Sequence, residues 1–256
     1  MTCEVPISFH EPEVVWRDAE GSPLMIELPA GDFMMGANVD DKFANATERP
    51  AHRVRIAAGL AIGCFPVTVG EFRRFSPGHS QDEAPVLPVV RVNWHDANAY
   101  CHWLSERTGR EYRLASEAEW EYACRGNSGA AFAFGDALTP EQANYLYDED
   151  GLRVGVNCRT PVGSYGANAF GLYDFHGNVC EWVQDGWRPD YSDAPDDGEA
   201  RNGMDANCRV VRGGAWDYLP RLLRSAWRDW RAADQRADNV GFRVAVRGVK
   251  NHAGAR

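Results

Sequence analysis

Residues 212–247 read RGGAWDYLPRLLRSAWRDWRAADQRADNVGFRVAVR, and they combine glycines, aromatic side chains and arginines in a way that no simple helix or strand requires. The end of this stretch, residues 240–246, alternates and predicts a β-strand. One face of that strand would carry Phe242, Val244 and Val246, and the other Arg243, Ala245 and Arg247. We therefore expect a functional surface that the strand fastens to the core, with the rest of the chain as its scaffold.

The charge of this part of the chain differs from that of the whole. Residues 209–250 contain ten basic and four acidic residues, whereas the chain has a formal net charge of −10. We expect these arginines to pair with acids elsewhere in the fold, and a small anionic ligand is the alternative. A chain of negative net charge is poorly suited to neutralising phosphates, so we expect no nucleic-acid partner.

Composition indicates an ordinary globular chain of 256 residues, 44% of them hydrophobic. No run approaches the roughly 18 apolar residues of a membrane span, and residues 1–16 lack a basic start followed by an apolar core. We expect no membrane partner and a cytoplasmic location. Seven cysteines without CxxC pairs predict reduced, mostly buried thiols rather than a disulfide framework or a zinc site.

We expect a single domain, because no internal repeat or linker interrupts the chain. Its predicted parts are an N-terminal arm at residues 1–22, the domain at 23–248 and a C-terminal tail at 249–256. Strands are predicted at residues 24–37, where two flank a Pro-Ala-Gly-Asp turn, at 53–56 and at 160–163. The alternation at residues 53–56 places Val54 and Ile56 towards the core.

Three short helices are predicted from their caps. Capping boxes formed by Thr68 with Glu71, and by Ser116 with Glu119, begin the first and third helices. The first would end at the Pro77-Gly78 turn and the third before Gly126. The second would run from about His95 or Asp96 to Thr108, with Gly109 as its stop.

Long parts of the chain lack periodicity. Residues 130–155, with the acidic run Asp148, Glu149 and Asp150, and residues 185–205 are predicted as loops. Loops of this length in a compact domain are usually functional or held by something other than a backbone ladder. Nine tryptophans are expected to bridge such loops. The sequence thus predicts an α+β fold with small antiparallel sheets, short helices and much irregular structure.

The chain lacks the common motifs of a nucleophile elbow, a phosphate loop and a dinucleotide fingerprint. A cysteine–histidine pair stays open, because its partners meet in space and not along the chain. Residues 171–183, GLYDFHGNVCEWV, carry Asp174 and Glu181 around a Gly-Asn turn. Their carboxylates and the carbonyls of Gly177 and Val179 are suitable oxygen ligands for calcium, and hydrogen bonding within the turn is the alternative.

Ordered motifs extend over most of the chain. They include GDFMMG at 31–36, VNWHDANAYCHWL at 92–104, TGREYRLASEAEWEYACRG at 108–126, VVRGGAW at 210–216 and GFRVA at 241–245. Together with residues 160–183, they resemble the formylglycine-generating enzyme, or sulfatase-modifying factor, domain family over about residues 24–247. This resemblance implies a single complex C-type-lectin-like domain in which calcium has a structural role.

The resemblance also implies particular calcium ligands. The family's ligands match Asp174, Glu181 and the carbonyls of Gly177 and Val179. A second family site begins at Asn144 and the carbonyl of Tyr145, and no aspartate partner for it can be assigned from the sequence.

One departure from the family concerns its chemistry. The formylglycine-generating enzymes oxidise a substrate cysteine with molecular oxygen, using copper held by two cysteines after a GGS[YW] turn. Residues 217–223 read DYLPRLL here, and no cysteine follows Cys208. Because a Cu(I) site of this kind needs thiolates, we expect no cysteine-bound copper, and the identity of any other redox metal stays open. Cys180 stands where relatives more often carry Trp, which we interpret as a packing variant.

Two hypotheses about function follow from the resemblance. The first is an oxidoreductase of this family that acts on a small molecule or peptide. The second is a noncatalytic C-type-lectin-fold protein that binds a small-molecule, peptide or protein ligand, such as a diversity-generating retroelement variable protein. Both place the ligand on Trp216, Asp217, Tyr218, Arg221, Trp227, Asp229 and Trp230. Within this set we expect Trp216 and Trp227 nearer the core and Asp217, Tyr218 and Asp229 more exposed.

Overall fold

The computed structural model describes residues 15–248, so most of the predicted arm and all of the predicted tail lie outside the described residues. Its strands are β1 (Val15–Trp16), β2 (Met25–Glu27), β3 (Gly31–Met35), β4 (His52–Ile56), β5 (Ala61–Gly63), β6 (Tyr112–Leu114), β7 (Cys180–Gly186), β8 (Cys208–Arg212), β9 (Arg228–Ala232), β10 (Val240–Phe242) and β11 (Val244–Val246). The helices are α1 (Val69–Arg73), α2 (Trp94–Thr108) and α3 (Glu117–Arg125), and short 3-10 turns lie at Ala46–Glu48 and Pro220–Leu222.

These strands form three small sheets. One has the order β1-β2-β5-β11-β6, the second β10-β7-β8-β9, and the third pairs β3 with β4. The pairs are antiparallel except that β10 runs parallel to β7, with Gly241 opposite Glu181. The prediction that the sheets are antiparallel is therefore wrong for this pair. After β9 the chain crosses to the far side of β7, where it forms β10.

The helix predictions are confirmed with two shifts of a boundary. Thr68 and Ser116 cap α1 and α3 through the predicted capping boxes, and Gly109 and Gly126 end α2 and α3 in the left-handed conformation. α2 begins at Trp94 rather than at His95 or Asp96, because the side chain of Asn93 accepts a hydrogen bond from the Asp96 amide. α1 ends at Arg73, earlier than the predicted Pro77-Gly78 turn.

The single strand predicted at residues 240–246 is wrong, because it is two strands in different sheets. β10 and β11 are separated by Arg243, and residues on both faces are buried. The Arg243 guanidinium lies inside the protein, where it binds Glu181 and the carbonyls of Gly63 and Tyr173. The alternation in the sequence therefore marks a crossing between two sheets with an ionic core at its centre.

The other strand predictions are partly confirmed. The strand at residues 53–56 is confirmed, with Val54 and Ile56 buried. Residues 24–37 do contain two strands, but β2 and β3 belong to different sheets. Residues 160–163 form a turn and no strand, because the Gly163 amide donates to the Asp174 carboxylate.

The interior of the described residues is built around large aromatic side chains. Trp120 and Trp182 are fully buried in two different apolar clusters, and the Trp182 indole donates to the carbonyl of Val92. Four of the six free cysteines among these residues are buried: Cys64, Cys101, Cys124 and Cys180. No helix within residues 15–248 has the length and apolar character needed to cross a membrane.

Candidate functional site

Two glycines shape the connection between β8 and β9. Their φ angles are +90° at Gly213 and +69° at Gly214, a region that residues with a side chain rarely adopt. Space is also short, since a Cβ at Gly214 would lie 2.7 Å from the carbonyl oxygen of Leu222. The turn therefore requires glycine, and it leads from the buried end of β8 into the segment that carries most of the predicted ligand-binding residues.

Four arginines of residues 212–247 are buried in ion pairs. Their partners are Glu117 and Glu121 for Arg212, Glu48 and Asp41 for Arg224, Glu117 for Arg228, and Glu181 for Arg243. The nitrogen–oxygen distances in these pairs lie between 2.6 and 3.1 Å. The expectation that the basic stretch pairs with acids elsewhere in the fold is confirmed.

α3 supplies much of the acidic half of this network. Its residues Glu117, Glu119 and Glu121 are all buried. Burial by itself raises the pKa of Glu117, but the guanidinium groups of Arg228 and Arg212 outweigh it and hold that pKa below its usual value. Glu117 is therefore ionised at neutral pH, and its ion pairs with Arg212 and Arg228 join α3 to β8 and β9.

A cavity of about 870 Å³ lies beside the network, between residues 37–43, residues 129–150 and residues 220–226. Phe132, Leu138, Tyr145 and Pro220 contribute apolar surface to it. A volume of this size is within the range of sites that take drug-sized ligands. The cavity also has charged walls, so apolar and polar parts of a ligand can be accommodated together.

The charge on the cavity walls is unevenly compensated. Acidic lining residues are Asp40, Asp41, Asp136, Asp148, Glu149 and Asp150, and basic ones are Lys42, Arg125, Arg221 and Arg224. Each of the three arginines is already bound by a carboxylate. Within residues 15–248, Asp40, Asp136, Asp148 and Asp150 form no ion pair. Lys42 forms no ion pair there either, so four unpaired aspartates face one unpaired lysine, and the net uncompensated charge facing the cavity is negative.

One contact connects two walls of the cavity. Glu149 accepts hydrogen bonds from the Arg221 amide at 2.7 Å and from its guanidinium at 2.6 Å. The two side chains remain 34% and 40% exposed. This contact attaches the acidic run at residues 148–150 to the turn at residues 220–222.

The predicted ligand-binding residues are divided between the cavity and other places. Arg221 lines the cavity, whereas Trp227 is buried in the core at 5% exposure. Trp216 is half-buried, Asp217 is exposed and accepts hydrogen bonds from Asn239, and Trp230 is 44% exposed on the edge strand β9. The fold therefore does not bring all seven predicted residues to one pocket.

Tyr218 and Asp229, from the same predicted set, are joined outside the cavity. Arg231 donates from one guanidinium nitrogen to the Tyr218 hydroxyl at 2.7 Å and from the other to the Asp229 carboxylate. The ring of Tyr218 packs edge-on against Trp227. Both residues are half-buried, so they are less exposed than the sequence predicts.

A cysteine–histidine pair does meet in space, at Cys124 and His176. The thiol lies 3.8 Å from His176 Nε2, while His176 Nδ1 donates to the Leu223 carbonyl and Nε2 accepts from the Ala133 amide. Burial lowers the pKa of His176 to about 4 and raises the pKa of Cys124 to about 12. Both groups are therefore neutral, and the pair holds loops together rather than forming an activated nucleophile.

The residues expected to bind calcium fit a cation unequally. Asp174 Oδ1 and Asn144 Oδ1 are buried oxygens without a hydrogen-bond partner among the described residues. Glu181 does not fit in this way, because Arg243 binds both of its oxygens and Trp120 binds one of them. Among residues 15–248, no three His, Cys, Asp or Glu side chains converge in a group that could hold a metal. A cation here would depend on Asp174 or Asn144 and on carbonyl oxygens.

The backbone around these residues is folded tightly. Gly177 pairs with Asn144 in a parallel β-bridge, and the Asn144 carbonyl accepts from the Asn178 amide. The Asn144 side chain donates to Asn178 Oδ1. The predicted positions Asn144 and Tyr145 and the predicted carbonyl of Val179 thus belong to one buried loop cluster, held by hydrogen bonds within the turn.

Several cavity residues were not predicted as ligand-binding from the sequence. Residues 148–150 stood out as an acidic run in a long irregular segment, and that signal could have identified them. Residues 37–43 gave no signal beyond their polarity. They reach the cavity because the 3-10 turn at Ala46–Glu48 brings Glu48 to Arg224, a partner 176 residues away.

Comparisons with known proteins agree with this fold. A model of the sulfatase-modifying factor enzyme 1-like domain matches residues 11–248. The formylglycine-generating enzyme of Streptomyces coelicolor is 38% identical, over 86% of this chain and 88% of that protein. The family model covers all the described residues, 15–248.

Solved structures give the same result. PvdO from Pseudomonas aeruginosa has a TM-score of 0.84 at 35% identity, over 93% of this chain and 99% of that one. Treponema denticola variable protein 1 has a TM-score of 0.75 at 22% identity, over 95% and 100%, a likeness of fold alone. The predicted α+β, C-type-lectin-like fold class is confirmed.

Proposed function

The chain belongs to the sulfatase-modifying factor enzyme 1-like family, and we propose that it binds a positively charged small molecule or peptide in the 870 Å³ cavity. The observation that carries this proposal is the cavity itself, which has both apolar surface and charged walls. Its arginines are occupied by carboxylates, and Lys42, its one lysine unpaired within the described residues, is outnumbered by unpaired aspartates, so the walls favour a cationic ligand over an anionic one.

The charge of the ligand follows from the acids that lack a partner. Asp40, Asp148 and Asp150 face the cavity without an ion pair among the described residues. A ligand with an ammonium or guanidinium group would gain charge-assisted hydrogen bonds there, which are stronger than neutral ones. Its apolar part would lie against Phe132, Leu138 and Tyr145.

Filling the cavity tests this proposal. Ala137 is an exposed lining residue, so Ala137→Trp fills space without disturbing the core. Ala206→Trp is the matched control, because Ala206 is also exposed and does not line the cavity. We expect ligand-detected NMR to show that lysine amide and arginine amide bind the wild type and Ala206→Trp but not Ala137→Trp. Equal binding by all three proteins would contradict the proposed site.

As a second candidate, we propose that the protein oxidises the ligand it binds. The 38% identity to a formylglycine-generating enzyme supports an oxidoreductase. Residues 217–223 contain no cysteine, so the reaction would not use copper held by a cysteine pair at that position.

Oxygen consumption tests the second candidate separately from binding. Purified protein with its metal content determined would be incubated with small thiols and basic peptides, and Ala137→Trp would be the control. We expect oxygen uptake by the wild type and its loss in the variant. Binding without oxygen uptake would contradict the oxidoreductase hypothesis and support a protein that only binds its ligand.

We also propose that calcium, if it has a structural role, binds at Asp174. The support is the buried Oδ1 atom that receives no hydrogen bond in the described part of the chain. Burial raises the pKa of Asp174 to about 6. A cation with carbonyl ligands would satisfy this oxygen and lower that pKa.

A further inference from the structure

Among the strands that the structure describes, only β4 pairs with β3, and none pairs with its outer edge. β3 and β4 form a two-stranded sheet in which Asp32 lies opposite Arg55 and Met34 opposite Arg53. The Arg55 amide donates to the Asp196 carbonyl, away from β3. Two residues directly opposite each other in an antiparallel pair either bind each other through their amides and carbonyls or both point these groups away from the partner strand. The amides and carbonyls of Asp32 and Met34 therefore also point away from β4.

A second, smaller cavity lies along this edge. It has a volume of about 250 Å³ and is lined by Asp32, Phe33 and Met34 on one side and by Asn127, Ser128 and Gly129 on the other. Met34 is 51% exposed. An unpaired strand edge beside an open space is the arrangement to which an extended peptide adds as a further strand.

The smaller cavity adjoins the 870 Å³ cavity. Both are lined by Asn38, Arg125 and Gly129. An exposed hydrogen bond from the Asn38 amide group to the Gly129 carbonyl, 3.1 Å long, crosses this shared wall. Because the two cavities share these residues, an extended chain that passes over the exposed Asn38–Gly129 hydrogen bond reaches from the β3 edge to the acidic walls of the larger cavity.

We propose that the ligand is an extended segment of a partner polypeptide that adds as a strand to the β3 edge and places a basic side chain in the larger cavity. This inference rests on the proposed function of that cavity and narrows its ligand to a peptide. Main-chain hydrogen bonds to Asp32 and Met34 supply the pairing. The uncompensated acids Asp40, Asp148 and Asp150 select a lysine or arginine.

Backbone methylation of the peptide tests the pairing without changing the protein. The probe is a fluorescent peptide of about eight residues with alternating valine and lysine, which spans about 26 Å when extended. Two derivatives carry N-methyl groups on either the odd or the even residues. Successive amides of a strand point to opposite sides, so one derivative should bind at least about tenfold more weakly, and the other like the parent. Equal effects of the two derivatives would overturn the inference.

Variants separate this inference from the proposed function. Met34→Pro removes the outward amide and leaves the bonds to β4, so we expect weaker peptide binding and unchanged binding of lysine amide. Ala137→Trp should weaken both. If lysine amide binds in the cavity and the peptide binds no more tightly, the inference fails alone; if neither binds, the proposed function fails too. A dimer in sedimentation that Met34→Pro dissociates would show that a second copy occupies the edge, which also overturns the inference.

Discussion

Arg212 and Arg228, which bind the α3 residue Glu117, differ from Arg221 on the cavity wall in what surrounds them. Arg212 and Arg228 share Glu117 in the interior, where both guanidinium groups are almost fully buried. Arg221, on the cavity wall, forms an ion pair with Glu149, and solvent reaches both side chains. In the interior each charge is bound by several partners, whereas Asp40, Asp148 and Asp150 beside the cavity form no ion pair within residues 15–248. The first region can hold the fold together, and the second has charge available for a ligand.

The largest effect is expected from breaking the buried region at Glu117. Its carboxylate accepts hydrogen bonds from Arg212, Arg228 and Tyr191. Glu117→Gln would leave two buried guanidinium groups short of a counter-charge, at a cost of about 3–5 kcal/mol. Urea unfolding measures the loss, and Glu106→Gln, on the exposed face of α2, is the control with a change within about 0.5 kcal/mol. A small effect of Glu117→Gln would mean that the buried network does not stabilise the fold.

A second test concerns Asp185, a buried acid that receives amide bonds from Arg201 and Glu117. Burial, with the nearby charge of Glu117, raises the pKa of Asp185 from 3.8 to about 7. The folded state therefore holds a proton that the unfolded state releases, so stability falls as pH rises from about 4 to about 7, on the order of 4 kcal/mol. Asp185→Asn should flatten this dependence in thermal unfolding at several pH values. Identical slopes for the two proteins would contradict the assignment.

A third test asks whether a cation completes Asp174, which has no ion pair within the described residues. Calcium at about 100 times its dissociation constant would stabilise the fold by about 2–3 kcal/mol. We expect EDTA to lower the melting temperature of the wild type and of the exposed control Asp197→Asn, but not that of Asp174→Asn. An unchanged melting temperature of the wild type in EDTA would contradict calcium binding at this site.

The smallest effect is expected at the cavity wall. Glu149→Gln weakens a half-exposed ion pair, and exposed pairs contribute about 0–1 kcal/mol. We expect the free energy of unfolding to change by less than about 1 kcal/mol, while the affinity for lysine amide falls because the cavity loses a negative charge. A loss of stability as large as that of Glu117→Gln would place this pair in the buried network and end the distinction between the two regions.

The candidate site was only partly predictable. Arg221 and the acidic run at residues 148–150 were visible in the sequence, as an arginine after the GGAW turn and as a charge cluster in a long loop. Asp40, Asp41 and Phe43 were not, because nothing within a few residues of them differs from an ordinary polar loop. Trp227 was placed in the ligand-binding set and lies in the core, since an aromatic residue suits either environment.

The sequence alone determined what depends on neighbours along the chain. The capping boxes at Thr68 and Ser116, the glycine stops at Gly109 and Gly126, and the ordered family motifs identified the helices and the fold class. Only the tertiary structure decided which charges are buried and which face the cavity. The partners of Arg243 and Arg224 lie 62 and 176 residues away. Whether a charge is satisfied depends on the groups that surround it in space, and no local pattern specifies them.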